Sequence, residues 1–294
     1  MAGLLVVGEL ATDVLAWHRE PLARGTDTAA RVRIQPGGAG GNVASWAVES
    51  ASADVRLFAR VGRGELVWQK DHLRKAGVRP YLVADDVGST PTVVVLVDAA
   101  AERTFLSDNS QAARLCVEDW RPSLLDGVGA VHLSGHLLFD EASRALARLV
   151  MKEARARRLE VSVDPASAGF LSTLGVERVL PMLQGVDILL PNADEACLLS
   201  GLPDPADAAS ALSRLVPLAV VTLGGEGALI AESGEVTSHI EGWAVDTVDT
   251  TGAGDAFTGA FLAARLEGAA PQRAAELGCQ AGARAVCVMG ARPS

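Results

Sequence analysis

The stretch DTTGAGDAFTGA, residues 249–260, is a glycine-rich turn that runs directly into an apolar segment. Gly252 and Gly254 stand at the start of a predicted helix, where free backbone amides and the helix dipole favour an anion. Asp255 falls in the first turn, where the same dipole tends to keep a carboxylate ionised. This pairing suits phosphoryl transfer, with Asp255 taking a proton from an accepting hydroxyl while the amides stabilise the transferring group. The alternative is a carboxylate that only caps a glycine-rich helix start.

The segments around this turn predict an α/β fold. Two successive helices are expected at its C-terminal side, over 251–267 and 272–288, separated by Gly268 and Pro271. Before the turn, short apolar runs alternate with segments of helical period such as 141–158. The runs are 4–7, 55–59, 128–133, 159–163, 186–190 and 218–223. Continuous apolar strands between helices predict a mostly parallel sheet that is covered on both faces.

Two segments, about 13–35 and 79–106, interrupt this alternation because neither contains a convincing helix. The second reads as two strands joined at 98–102. We predict that both segments form a small accessory sheet that projects as a lid over a cleft. An edge extension of the main sheet is the alternative. Without repeats or long linkers, the chain is expected to be one domain over 1–294.

Composition excludes several classes of protein. The 294 residues include 26 Lys and Arg against 36 Asp and Glu, a net charge of −10 that disfavours binding to nucleic acid or to an anionic membrane. No apolar run could span a bilayer, and the N-terminus lacks the basic start of a signal peptide. No lysine follows a glycine, which excludes a Walker A loop. The four cysteines have no metal-ligand spacing, so we expect reduced thiols in a cytoplasmic protein.

A second glycine-rich turn, GGAGGN at 37–42, precedes another predicted helix. Its glycines allow the backbone to approach a ligand closely, and Asn42 offers both a donor and an acceptor. A polar, uncharged ligand such as a sugar would fit, although tight packing alone is an equal alternative. Asp13, a few residues after the first strand, could accept hydrogen bonds from two sugar hydroxyls or could be a solvated loop acid.

Two further motifs follow predicted strands, where ligands gather in parallel sheets. In PNADE, residues 191–195, Asn192 and Glu195 share one helical face and could hold a hydrated Mg²⁺ near phosphates, or could simply cap the helix. In VTLGGEG, residues 221–227, a strand ends in a glycine-rich turn that could line a nucleotide pocket or form only a hairpin.

The chain resembles the ribokinase-like, phosphofructokinase-B-type carbohydrate kinases over nearly its whole length. The resemblance rests on the order of the four motifs together with Asp13, the predicted lid segment TPTVVVLVDAAAERTFL and the stretch VHLSGH. The resemblance implies a three-layer α/β/α sandwich with a mostly parallel central sheet and a small β-sheet lid. It also implies an ATP-dependent kinase for a small sugar or sugar acid, assisted by Mg²⁺ and activated by K⁺. Some relatives pair through their lids, so a homodimer is a further expectation.

The resemblance also assigns roles to residues. It implies that Asp255 is the catalytic base and that the amides of Gly252, Ala253 and Gly254 form the anion hole. The remaining roles fall into three groups. The acceptor is expected at Asp13, Gly38, Asn42 and Asn109. ATP and Mg²⁺ are expected at Asn192, Glu195, Thr222, Gly224, Gly225 and Gly227. A monovalent cation is expected at Asp249 and Thr251, completed by the tail 285–294.

The acceptor end departs from the family pattern. Ala39 stands where ribokinases proper resemble one another in carrying lysine, which weakens ribose as the default acceptor, and residues 108–111 lack the more usual Arg-Gly stretch. A nucleoside kinase and a non-catalytic sugar-binding protein therefore stay as alternatives. A Rossmann dehydrogenase is disfavoured because no GxGxxG follows the first strand.

Overall fold

The computed structural model of the chain describes residues 2–51, 54–99, 103–108 and 114–293. The strands are β1 Gly3–Val7, β2 Ala11–His18, β3 Ala30–Gly37, β4 Val55–Gly62, β5 Arg79–Asp85, β6 Thr92–Val97, β7 Arg103–Asp108, β8 Val128–Ser134, β9 Glu160–Asp164, β10 Ile188–Leu189, β11 Leu218–Thr222, β12 Ala228–Glu232 and β13 Glu235–Ile240. The helices are α1 Ala39–Ser50, α2 Leu66–Lys75, α3 Glu141–Ala156, α4 Ala168–Leu174, α5 Val176–Val179, α6 Ala193–Ser200, α7 Pro205–Leu212, α8 Ala253–Leu266 and α9 Pro271–Val286.

The larger sheet of the described residues has nine strands in the order β13-β12-β11-β10-β9-β8-β1-β4-β5. The seven from β11 to β5 run parallel, and β12 and β13 extend one edge as an antiparallel hairpin. Each predicted apolar run contributes a strand to this sheet. The run at 186–190 pairs only over β10, so it is shorter than expected.

Helices cover both faces of the larger sheet, which makes the three-layer sandwich. Strand β1 shows why, since Leu4 and Val6 belong to one apolar cluster while Leu5 and Val7 belong to another on the opposite face. Helices α1, α2, α8 and α9 pack on the first face. Helices α3 to α7 pack on the second. The predicted fold class is therefore confirmed.

A second, four-stranded sheet in the order β3-β2-β6-β7 stands apart from the main sheet, as expected of the lid. One boundary was wrong. Residues Arg79–Asp85, expected in the accessory sheet, form β5 and pair in parallel with β4 at the edge of the main sheet. The reason is that helix α2 connects β4 to β5 as an ordinary parallel crossover, and this short helix lies before the segment that lacks helical period.

Helices α1 and α8 approach each other closely. A Cβ at Gly259 would lie 2.6 Å from the carbonyl oxygen of Val43 and 2.8 Å from the amide of Ala47, so only glycine permits this distance. The N-termini of both helices consequently meet at the carboxyl ends of the parallel strands. There Asn42 of α1 reaches Asp255 of α8.

Candidate active site

A cavity opens at the carboxyl ends of β8, β9 and β11, between α1, α6 and α8. This central cavity has a volume of about 210 Å³. Parallel strands place their last residues at one edge of the sheet, which is why distant sequence segments converge here. Its polar lining comes from His132, Ser134, His136, Asp164, Asn192, Glu195, Thr222, Asp255 and Thr258.

Asp255 is the carboxylate of the α8 N-terminus that faces the central cavity. Its Oδ2 accepts a hydrogen bond of 2.8 Å from Asn42 Nδ2. Burial raises the pKa of Asp255 to about 7, supported by the charges of Asp164 and Glu9 and opposed by Asn42 and His136. Burial and neighbouring acids thus act against the tendency of the helix dipole to keep Asp255 ionised. A pKa close to neutrality suits a group that accepts and returns a proton.

Asn192 and Glu195 begin α6 and form a reciprocal capping pair. Asn192 Oδ1 accepts from the Glu195 amide and Glu195 Oε2 accepts from the Asn192 amide, both at 2.9 Å. Capping is therefore a real part of their role. Yet Glu195 is buried, and burial together with the charge of Asp164 raises the pKa of Glu195 to about 8. Two mutually repelling carboxyl groups on one cavity would be stabilised in their ionised forms by a cation between them.

Glu9 and His136 form a charged pair, of which His136 lines the central cavity. Glu9 Oε1 lies 3.0 Å from His136 Nδ1 and accepts from the Ala39 amide, and Glu9 Oε2 accepts from Ser134 Oγ at 2.8 Å. Burial raises the pKa of Glu9, but the charge and hydrogen bond of His136, together with the Ser134 hydroxyl and a backbone hydrogen bond, lower this pKa to about 2. Burial lowers the pKa of His136, but the carboxylate of Glu9 outweighs this effect and raises the pKa to about 9. A protonated His136 therefore faces the site at neutral pH.

A second cleft, of about 320 Å³, adjoins the central cavity at Thr222 and Gly254, which line both. We call it the donor cleft. A Cβ added at Gly224, Gly225 or Gly254 would meet no atom within 4 Å, so these glycines leave open space at its wall. Gly227 differs, because it has a φ of +99° and its Cβ would collide with the carbonyl oxygen of Ile240. The VTLGGEG segment is both a β11–β12 hairpin and a cleft wall.

Six predicted site residues of the described ranges line neither cavity, namely Asp13, Gly38, Asn42, Asp249, Thr251 and Gly252. Gly38, with a φ of +89°, starts α1 and is confined by the backbone of Leu10 and Ala11. Gly252, with a φ of +76°, starts α8 against Ala291. Asp13 lies on β2, buried against Gly37. Burial raises the pKa of Asp13 to about 6, against the lowering effect of Arg292.

Asp249 and Thr251 lie in the turn before α8, beside the C-terminal tail. Asp249 is buried; its Oδ1 accepts from the Thr251 amide at 2.9 Å and its Oδ2 accepts from the Gly290 amide at 3.0 Å. Asp249 therefore joins the two segments, 249–251 and the tail, that were expected to surround a monovalent cation. Asn109, expected at the acceptor, lies outside the described residues.

An aromatic cavity adjoins the central cavity, and His136 lines both of them. Glu9 lines the aromatic cavity. Phe139 and Phe170 lie with ring centroids 5.0 Å apart, and each presents its ring to His136 at 5.9 and 5.8 Å. Arg60 and Arg114 also line it, each paired with acidic side chains. The site thus has an aromatic extension beyond the central cavity.

Sequence reasoning missed Glu9, His136, Asp164 and Arg292 as site residues. The first three follow or end β1, β8 and β9, so the rule that ligands gather at the carboxyl ends of parallel strands could have identified them. No comparable signal marks Arg292. Its tail reaches the site only because the chain folds back over α1.

Comparison with known proteins agrees with this geometry. The profile of the pfkB family carbohydrate kinases matches residues 1–294. The chain is 32% identical over 263 residues to 2-dehydro-3-deoxygluconokinase of Thermoproteus tenax, covering 85% of this chain and 80% of that one. It is 27% identical to guanosine-inosine kinase of Exiguobacterium acetylicum, covering 97% and 95%. A ribokinase II candidate from E. coli, solved with ATP and Mg²⁺, superposes with a TM-score of 0.88 at 23% identity, covering 99% and 94%.

None of the helices in the described ranges is both long and apolar enough to cross a membrane.

Proposed function

The chain belongs to the pfkB family of carbohydrate kinases, and we propose that it transfers the γ-phosphoryl group of ATP to a hydroxyl of a small sugar or sugar acid. One observation carries this proposal. Asp255, with a pKa of about 7, lines the central cavity at its junction with the donor cleft, beside the open Gly254. A base, an acceptor space and a glycine-walled cleft therefore meet at one point.

In the proposed mechanism, the acceptor hydroxyl lies beside Asp255 and gives its proton to the Asp255 carboxylate as the phosphoryl group arrives. We expect the backbone amides at the start of α8 to oppose the negative charge that develops there. The ATP triphosphate extends through the donor cleft past Thr222, Gly224 and Gly225. The lid sheet limits access of water, which would otherwise hydrolyse ATP.

Mg²⁺ fits the acidic side of the central cavity. Asp164 and Glu195 supply oxygen atoms of the kind this ion prefers, and each repels the other while no cation balances them. Across the described ranges, no three His, Cys, Asp or Glu side chains are close enough to hold a metal. Phosphate and water oxygens would therefore complete the coordination, and the ion would offset the negative charge of the phosphates.

A monovalent cation is a further part of the proposal. Asp249 and the tail enclose a common region, as the resemblance implies for K⁺. If K⁺ binds there, replacing it with tetramethylammonium at constant ionic strength should lower kcat. An unchanged rate would remove K⁺ from the proposal.

The aromatic cavity favours a second candidate, a nucleoside acceptor whose base would contact Phe139 and Phe170. Its test is Phe170→Leu, which should raise the KM for a nucleoside several-fold while leaving the KM for a small sugar unchanged. Equal effects on both acceptors would exclude this role for the cavity.

The activity is tested by ADP release with Mg-ATP and K⁺ across pentoses, ketohexoses, keto-deoxy sugar acids and nucleosides, with Asp255→Asn as the blank. One acceptor that stimulates ADP release in the native protein only would support the kinase and name its substrate. Silence across the panel, with a sugar still binding by calorimetry, would favour the non-catalytic alternative.

The outer face of the lid supports the expected homodimer. Ile34, Val14, Val94 and Leu106 occupy one cross-strand row and therefore one face, and Ile34 and Leu106 are more than half exposed. Exposed apolar patches of this kind commonly mark protein contacts. A homodimer should sediment as twice the chain mass and dissociate in Ile34→Glu. A monomeric native protein would reject it.

A further inference from the structure

The C-terminal tail is fixed against both glycine-rich helix starts. The Gly290 amide donates to Asp249 Oδ2 at 3.0 Å, and the Trp46 indole Nε1 donates to the Ala291 carbonyl, also at 3.0 Å. Ala291 in turn packs against Gly252, where a Cβ would lie 2.7 Å away. The residue that follows, Arg292, is therefore held at a defined position beside α1.

Arg292 uses two nitrogen atoms of its guanidinium group on the GGAGGN segment. Nη2 donates to the Gly37 carbonyl at 2.8 Å, and Nε donates to Asn42 Oδ1 at 3.1 Å. Because the guanidinium is planar, two hydrogen bonds on different nitrogens fix its orientation. The close fit requires the glycine at 41, since a Cβ there would collide with Nη2.

This contact determines which way the Asn42 amide faces. Arginine donates hydrogen bonds and cannot accept them, so the atom of Asn42 that faces Arg292 must be the oxygen. The amide nitrogen then faces the opposite direction, where it donates to Asp255 Oδ2 at 2.8 Å. The three side chains form a directed chain from the tail, through α1, to the proposed base on α8.

The charge of Arg292 acts in the same place. Burial lowers the pKa of Arg292 to about 10, against the raising effects of Asp13 and Asp255, so the side chain stays cationic at neutral pH. The other charged groups that act on Asp255 are Asp164 and Glu9, which disfavour its ionised form, and His136, which favours it. Arg292 is thus a fixed positive charge within an acidic site.

We propose that Arg292 is a positioning residue for the reaction, which holds the Asn42 amide so that it donates to Asp255 and leaves the other carboxylate oxygen directed at the acceptor hydroxyl. The proposal rests on the role of Asp255 as the base. It gives the C-terminal tail a part in the chemistry and gives Asn42 a part that differs from direct sugar binding.

The first experiment compares Arg292→Met with Arg284→Met. Methionine keeps most of the side-chain length without the donors or the charge. Arg284 is the matched control because it also lies near the tail, but its contacts are an exposed pair with Glu49 and the ring of Trp46. Loss of a hydrogen bond to a charged network predicts a kcat about tenfold lower for Arg292→Met, with the KM for ATP unchanged. Arg292→Lys should restore part of the rate.

A double-mutant cycle tests whether Arg292 acts through Asn42. Asn42→Leu removes both ends of the amide, so adding Arg292→Met to that variant should cause no further loss of kcat. Full multiplication of the two effects would overturn the proposal, because Arg292 would then act independently of Asn42. Equal losses in Arg292→Met and Arg284→Met would also overturn it, since only general support from the tail would remain.

A measurement that does not depend on catalytic turnover tests the role of Arg292 independently of the proposed kinase activity. The Asp255 carboxyl titration can be followed by carbon NMR in protein that carries labelled aspartate, with Asp255→Asn to assign the signal. Arg292→Met and Asn42→Leu should both raise the Asp255 pKa above the native value, and Arg284→Met should not. An unchanged Asp255 pKa in Arg292→Met would refute the positioning role. A raised pKa in a protein that phosphorylates no acceptor would instead refute the kinase assignment alone.

Discussion

The donor cleft and the acceptor side of the central cavity are built in different ways. One wall of the donor cleft is glycine backbone from two contiguous motifs, VTLGGEG and DTTGAGD, and residues 242–247 with side chains of α8 and α9 complete the lining. The acceptor side is built from side chains that come from far apart, including Glu9 before β2, His136 after β8 and Arg292 in the tail. A triphosphate is the same in every ATP-dependent kinase, whereas the acceptor differs.

This difference explains why one side was identified from the sequence in more detail than the other. Backbone amides can be arranged by a local turn, and the turn needs glycines that appear in the sequence as a motif. A side-chain site requires no contiguous signature, because its members meet only through the sheet topology. The predictions below test this contrast, in order of expected effect.

Asp255 lines the central cavity next to Gly254, which lines both cavities, so its loss should have the largest effect. Asp255→Asn removes the proton acceptor while keeping the hydrogen-bonding shape, and turnover should fall by about 10²- to 10⁴-fold. Acceptor affinity, measured by calorimetry, should change only several-fold. Asp194→Asn, an exposed carboxyl group on α6, is the control and should keep its turnover. Undiminished turnover in Asp255→Asn would rule out the proposed base.

Substitutions at two glycines of the donor cleft can distinguish a requirement of the backbone conformation from a requirement for space to bind ATP. Gly227→Ala must hold a φ of +99° and collides with Ile240, so it should lower stability by about 1–3 kcal/mol. Gly225→Ala meets no protein atom, so stability should persist while the added methyl group raises the KM for ATP. Thermal unfolding and ATP titrations distinguish the two. An unchanged KM in Gly225→Ala would show that ATP does not approach this wall closely.

His136 should change the pH dependence more than the maximal rate. In the native protein, kcat/KM should rise with pH through about 7 as Asp255 ionises, and then level off. Since the charge of His136 lowers the Asp255 pKa, His136→Asn should move this rise to higher pH. A rise that stays at the same pH, measured across pH 5 to 9, would mean that His136 does not act on the base.

The smallest effect concerns the stability that the Glu9–His136 pair provides. The raised pKa of His136 makes its contribution complete below about pH 6.5 and absent above about pH 9, while the lowered pKa of Glu9 makes its own contribution complete above about pH 4.5. The difference in Tm between the native protein and Glu9→Gln should therefore be greatest near pH 5–6 and decline toward pH 9. A difference that grows with pH would contradict the pairing.

Particular elements show how far sequence patterns reach. The six apolar runs and the two C-terminal helices appear as expected, because burial on both faces of a sheet requires continuous apolar strands. The boundary at residues 79–85 was misjudged because β5 lies at a sheet edge and is only half buried, so its pattern resembles a lid strand. The raised pKa of Asp255 could not be predicted from the sequence, since local position in a helix does not reveal burial or the distant Asp164 and Glu9.

The sequence by itself determined the layered α/β architecture, the accessory sheet and the glycine-rich segments of the donor cleft, since these depend on residue period and on local backbone freedom. Only the tertiary structure decided which side chains surround Asp255. Asn42, Glu9, His136 and Arg292 are separated by up to 283 positions, from residue 9 to residue 292, and meet because parallel strands and two closely packed helices place their ends together. Short-range sequence patterns cannot predict these contacts, because each contact depends on the packing of the whole chain.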